Sequence, residues 1–243
     1  MVVTNNKSCY MKQLLFTLLI VIFVTSSGCG QSGNRSNTKE QLVGGGCEGC
    51  EAVHESPVPF DKLSWTDTLP DFNEPGPKMV ISGIIYKADG KTPAKDVVLY
   101  IYHTDQKGNY STKGNEKGWG KRHGYIRGWV KTNEKGEYKF YTLRPASYPN
   151  SEAPQHIHPT IKEPDLNEYW IDEFVFDDDP NLKPSERSNL QNRGGSGIIK
   201  LRNVNGILVG ERNIILGKNV PGYPEQDQGK TAAKRTSFIA RQI

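Results

Sequence analysis

The chain has 243 residues and a formal net charge of +4, from 31 Lys and Arg against 27 Asp and Glu. The basic residues are spread among acids, with no stripe interleaved with aromatics, so no nucleic-acid partner is implied. Behind the N-terminal segments roughly 200 residues remain, which suits one domain with a single core.

Lys7 and Lys12 with the apolar run Leu14 to Val24 read as the charged and hydrophobic regions of a secretory signal covering residues 1–29. The run is too short and wrongly flanked for a lasting membrane span. Met11 is an alternative start that leaves a shorter signal. Gly28-Cys29 after the apolar run resembles a bacterial lipoprotein cleavage site, although Ser26 stands where such sites carry an aliphatic residue. Cleavage there would leave a lipid anchor on Cys29 and place the protein in the cell envelope, periplasmic or on the outer surface; plain secretion is the alternative. Residues 30–46 are polar and Gly-rich and read as a flexible tether. Cys47 and Cys50 then form a Cys-x-x-Cys pair, which suits a redox motif, half a zinc site or a local disulfide. No second such pair and no βαβ pattern follow, so in an exported protein the disulfide is the expectation.

From there the pattern is strand after strand. Met79 to Tyr86, Asp96 to His103, Tyr125 to Thr132 and Glu137 to Thr142 are rich in β-branched and aromatic residues. His156 to Ile161, Trp170 to Phe176, Ile198 to Arg202 and Ile207 to Leu216 complete the set. Asn205-Gly206 is a hairpin signal between the last two. No long amphipathic helix and no internal repeat is present. The expected fold is all-β, an antiparallel β-sandwich with long active-site loops over residues 47–220. Residues 221–243 form a short basic tail, expected to be poorly ordered or laid on the surface.

The chemistry concentrates at Tyr148-Pro149 and His156-Ile157-His158. Residues two apart on a strand share a face, so His156 and His158 point one way and Ile157 points into a core. Two imidazoles and a phenol on one point suit ferric iron. The plainer alternative is a strand with two ordinary surface histidines.

In order along the chain, the sequence carries His103-Thr104-Asp105 to Gly108-Asn109-Tyr110, Arg127-Gly128-Trp129, Gly136-Glu137-Tyr138, Leu143-Arg144-Pro145, Tyr148-Pro149 and the His-x-His. This series, from about Val80 to Leu216, resembles the intradiol ring-cleavage dioxygenases, the protocatechuate 3,4-dioxygenase branch most of all. The resemblance implies a non-haem Fe(3+) held by Tyr110, Tyr148, His156 and His158. Phenolates are hard anionic donors, and the metal in turn lowers their pKa far below the free value of about 10. It further implies an enzyme that uses O2 to open a small aromatic diol between its two hydroxyl-bearing carbons, with iron as Lewis acid and template. A homo-oligomer fits a chain that carries all four ligands itself.

Two positions depart from the family pattern. Ala153 stands where the family places an arginine over the substrate ring, and Arg144, Arg127 and Lys162 are nearby in sequence. Losing such a preorganised charge costs roughly 2.7–4 kcal/mol of barrier. Glu173 stands where the family places a glutamine facing the active site, which makes it a candidate substrate-binding residue. Its carboxylate would serve there by orienting a ligand histidine or a cationic substrate group, or would instead face solvent. Ala153 keeps a second reading open, an iron-containing catecholate-binding sandwich with little turnover. A plain sandwich without metal is the third.

Overall fold

The computed structural model describes residues 42–224. The signal segment, Cys29, most of the tether and Lys230 to Arg241 lie outside the described residues. Strand periodicity divides the apolar residues cleanly. In the strand Val98–Tyr102, Leu99 and Ile101 enter the main core, while Val98 and Tyr100 enter a second, smaller cluster with Ala52, Val53 and Trp129. This strand is therefore buried on both faces, which explains its near-continuous apolar sequence.

Among the described residues twelve strands follow in chain order: β1 (Thr66–Thr68), β2 (Lys78–Tyr86), β3 (Val98–Tyr102), β4 (Arg127–Lys131), β5 (Glu137–Leu143), β6 (His156–Lys162), β7 (Tyr169–Trp170), β8 (Phe174–Phe176), β9 (Ile198–Ile199), β10 (Arg202–Val204), β11 (Ile207–Glu211) and β12 (Ile214–Ile215). They form two sheets, β1-β5-β2-β11-β10 with β12 also on β2, and β4-β3-β6-β8-β9 with β7 also on β6. Met79, Ile81 and Phe140 from the first sheet meet Leu99, Ile101 and Ile157 from the second, making a β-sandwich. The helices are short, α1 (Gly120–His123) and α2 (Pro184–Asn189), with single 3-10 turns at Cys50–Glu55 and Phe60–Lys62.

The sandwich is as expected, but its sheets are mixed rather than antiparallel. β1/β5, β2/β11, β2/β12 and β8/β9 run parallel. These partners are joined through long connections, which do not impose the reversal that a tight hairpin does. The hairpin at Asn205-Gly206 is real: both residues have positive φ, 53° and 85°, and β10 pairs antiparallel with β11.

The expected strand over 170–176 is broken. Asp172 turns out of the ladder so that its carboxylate accepts the backbone N–H groups of Asn192 (2.7 Å) and Arg193 (3.2 Å). The detour ends β7 and restarts the chain as β8, and Glu173 sits in the gap. The chain also joins the sandwich ahead of Cys47. Val43 is buried, and Gly44 N–H donates to the Pro221 carbonyl, so the last residues of the expected tether are seated on the domain. Cys47 and Cys50 are disulfide-bonded to each other.

Candidate metal centre

The site lies on the outer face of the second sheet. Ile157 and Ile161 of β6 are fully buried in the core, which leaves His156, His158 and Thr160 on the opposite face. The β3/β6 register sets Tyr102 opposite His158. Residues 46–50 cover this face, and the Thr160 hydroxyl reaches the Cys50 sulfur at 3.8 Å.

Two loops bring the tyrosines. One leaves β3 at His103 and the other leaves β5 at Leu143, so they start side by side. Thr104 Oγ1 donates to the Ala146 carbonyl (2.6 Å), and Ala146 N–H donates to the Asp105 carbonyl. The Asp105 carboxylate accepts the N–H groups of Lys107 and Asn109 and the Ser111 hydroxyl, which folds the first loop into a tight turn around Tyr110. Gly108, at φ 80°, faces the Ser147 carbonyl so closely that a Cβ would collide with it. The missing side chain lets the Tyr110 loop lie against the Tyr148 loop.

Four donor atoms converge. Tyr110 Oη lies 2.5 Å from Tyr148 Oη and 2.7 Å from His158 Nε2. Tyr148 Oη lies 3.0 Å from His156 Nε2 and 3.3 Å from His158 Nε2, and the two Nε2 atoms are 3.1 Å apart. The outer ring nitrogens explain which atoms face inward. His156 Nδ1 lies 2.7 Å from the Pro154 carbonyl, which can only accept, so Nδ1 carries the proton and Nε2 offers its lone pair. His158 Nδ1 lies 3.0 Å from Glu173 Oε1 and is held the same way. Burial, and then the neighbouring imidazole of His158, push His156 below its ordinary pKa, which favours its neutral form. Two neutral imidazole nitrogens and two phenol oxygens at one point form a donor set that fits an iron ion.

Burial and the bond to Tyr148 push the Tyr110 phenol up, and burial pushes Tyr148 up. A bound cation reverses that direction by favouring the phenolates. Burial also works against an ionised Glu173, but the hydrogen bond from His158 outweighs it and holds the carboxyl below its ordinary value. Coordinating atoms of His156, His158 and Glu173 all lie within 4.8 Å of one another. Glu173 nevertheless meets the Nδ1 side of His158, opposite the phenols, so its carboxylate is an outer partner of that ring.

The three cations near in sequence are engaged elsewhere. Arg144 is bound by both oxygens of Asp178 (2.8 Å each) and by Gln155. Arg127 pairs with Glu55 at 2.7 Å, and Lys162 donates to the carbonyls of Glu163, Pro164 and Leu166. Ala153 has no guanidinium to offer, and none of these three replaces it.

A family model described as a dioxygenase matches residues 53–189, more than half of the chain. The chain belongs to the intradiol ring-cleavage dioxygenase family. That family is iron-dependent and cleaves the rings of catechol-type aromatics with O2. Among solved structures, the chain is similar to the dioxygenase domain of a dioxygenase–carbohydrate-binding protein fusion from the cellulolytic bacterium Streptomyces sp. SirexAA-E. The two are 20% identical with a TM-score of 0.49, over 66% of this chain and 94% of that one. A catechol 1,2-dioxygenase from Acinetobacter sp. ADP1, inhibited by bound mercury, is 18% identical with a TM-score of 0.48, over 63% of this chain and 56% of that one. A 3-chlorocatechol 1,2-dioxygenase from Rhodococcus opacus 1CP is 17% identical with a TM-score of 0.47, over 66% and 69%. No curated protein matches the chain.

In this intradiol dioxygenase-family site, an open pocket of about 410 Å³ leads to Tyr110, Tyr148 and His158. Its remaining walls are Glu48, Tyr102, Trp119, Arg122 and His123, none of which the sequence pattern singled out. Tyr102 stacks between His123 (3.7 Å, 2°) and His158 (4.6 Å, 19°). Burial, with Arg127 nearby, lowers His123 to about 4, so this imidazole is uncharged at neutral pH. A second pocket of about 220 Å³ lies on the Glu173 side of His158, under the Cys47–Cys50 loop. Only the β3/β6 register connects Tyr102 to His158. No local pattern marks Trp119 to His123, because they reach the site through a loop.

Proposed function

We propose that this chain is an exported ferric intradiol dioxygenase that opens the ring of a catechol-type aromatic between its hydroxyl-bearing carbons. The observation that carries the reading is the convergence of four donors, with both imidazoles proton-locked at Nδ1 so that both Nε2 lone pairs face the phenol oxygens. Tyr110, Tyr148, His156 and His158 would hold Fe(III). When bound, the ion supplies Lewis acidity and a template for the two catechol oxygens. The chain's own residues do the rest. Glu173 and the Pro154 carbonyl hold the protons on the outer ring nitrogens. Tyr102 supports the flat face of His158. With the ion bound, Tyr110 and Tyr148 would be ionised, and one of the two would take up a proton from an incoming diol while the other stays a phenolate.

The Cys47–Cys50 bond supports export, because such bonds persist in oxidising compartments. Anchoring through Cys29 remains part of the proposal and rests on the Gly28-Cys29 pattern. The test is iron analysis with a visible spectrum. The protein with ferric iron should be coloured by tyrosinate-to-iron charge transfer, and a catechol should shift the band while consuming O2. A colourless, iron-free protein sinks the proposal. Ala153 and the engaged Arg144 favour a second reading, a catecholate binder with little turnover. It requires a coloured protein whose band shifts with catechols but takes up no O2.

Glu173 gives a separate prediction. Outer partners of ligand histidines typically contribute 10–100-fold to metal affinity. Glu173→Ala removes the acceptor of the His158 Nδ1 proton, so iron affinity should fall by about tenfold or more. Competition with a chelator measures it. Unchanged affinity would show that the 3.0 Å contact does not matter to the site.

A further inference from the structure

The pocket leading to the donor quartet carries one guanidinium and no ammonium group among the described residues that line it. That guanidinium belongs to Arg122, on α1. Its plane lies over the Trp119 ring, 5.3 Å from the centroid, and its Nη1 lies 2.5 Å from Glu48 Oε1. Glu48 comes from the disulfide loop, so the ion pair joins two separate segments that line the pocket. Both side chains are largely exposed, 61% for Arg122 and 74% for Glu48. Ion pairs this wet contribute little and exchange readily with other anions.

We propose that Arg122 is a specificity-determining residue, and that it takes a carboxylate carried on the ring or side chain of the catechol, in place of Glu48. The proposal rests on the ferric dioxygenase reading. Its physical reason is charge. Fe(III), the one phenolate left after the other has taken up a proton, and a catechol dianion already sum to zero charge. A further carboxylate adds negative charge to the pocket and needs a cation of its own. Arg144, Arg127 and Lys162 are committed to partners outside the pocket, whereas Arg122 is held only by an exposed carboxylate. Guanidinium suits the task, since its planar fork matches a carboxylate, and the indole beneath it fixes the orientation. Glu48 then acts as an internal occupant that keeps the guanidinium paired until an acidic substrate arrives.

The experiment titrates the iron-loaded protein with catechol, 3,4-dihydroxybenzoate and 3-(3,4-dihydroxyphenyl)propanoate, reading the visible band for binding and O2 uptake for turnover. Arg122→Gln should shift the ratio of dissociation constants, acidic over neutral catechol, by roughly tenfold against the acidic ligands, the size expected for one charged hydrogen bond. Arg122→Lys should recover part of the shift. Glu48→Gln should move the ratio the other way. A ratio that stays constant in all three variants overturns the proposal, including the case where Arg122→Gln weakens every ligand equally, as a structural role would. A wild-type protein with no band for any ligand fails the ferric reading and the proposal with it. A band with an unmoved ratio fails the proposal alone.

Discussion

Tyr148→Phe should abolish the visible band of the iron-loaded protein or reduce it to a remnant, and stop ring cleavage. Tyr148 Oη lies within 3.3 Å of three other donor atoms, those of Tyr110, His156 and His158, so it sits at the centre of the quartet. The phenylalanine ring fills the same space, and the fold should survive, because Tyr148 is half-buried on a loop outside the main core. What disappears is one hard anionic donor and its charge-transfer transition. His156→Ala should have a similar effect through lost affinity, since the imidazole is buried and its Nε2 has no substitute nearby. Tyr110→Phe should leave a weaker band of altered energy if the remaining three donors retain iron. The checks are iron content per chain, the visible spectrum and O2 uptake, with circular dichroism to show that the fold is intact. A Tyr148→Phe protein with the wild-type spectrum and uptake would remove Tyr148 from the proposed iron site.

Asp71→Ala should cost about 3 kcal/mol of stability, because it strands several buried polar groups at once. Asp71 Oδ1 lies 2.9 Å from Thr142 Oγ1, and Oδ2 accepts the Leu143 N–H at 3.1 Å. Thr142 Oγ1 lies 2.7 Å from His103 Nε2, and His103 Nδ1 faces the Thr104 carbonyl at 2.8 Å. Burial pushes Asp71 up and His103 down, so the low dielectric favours the neutral form of each. Asp71→Asn keeps an acceptor for Leu143 and a polar partner for Thr142, so it should cost far less than alanine. The consequence extends to the site. His103 directly follows β3, Thr142 and Leu143 end β5, and the two tyrosine loops leave from those points. Asp71→Ala should therefore loosen the Tyr110 and Tyr148 loops and weaken iron binding, although Asp71 touches no donor atom of the quartet. Denaturant unfolding of the two variants measures the first effect and iron titration the second. Equal stability of Asp71→Ala and wild type would mean that the network does not clamp the strand ends.

Much of the scaffold could be read from the chain. β2, β3, β4, β5 and β6 lie where alternation and β-branched runs put them, because a strand's two-residue period is a local property. The reversal at Asn205-Gly206 is likewise local, a matter of which residues tolerate positive φ. Parallel pairing of β11 with β2 was not legible, since strand direction across a long connection depends on the whole sandwich. The break between β7 and β8 was hidden for a related reason. Its cause is the carboxylate of Asp172 reaching a loop about twenty residues further on.

The site divides in the same way. The order of motifs, the His-x-His spacing and the two tyrosines belong to the sequence itself, because spacing on one strand decides which side chains share a face. Membership of the dioxygenase family is likewise a property of the chain's residues. Tertiary structure alone decided that Glu173 reaches His158 Nδ1, and that Arg144, Arg127 and Lys162 are engaged by other partners. It also decided that Arg122 and Glu48, 74 residues apart, pair within the lining of one pocket. Charges find their partners through space, and the sequence records no distance between loops.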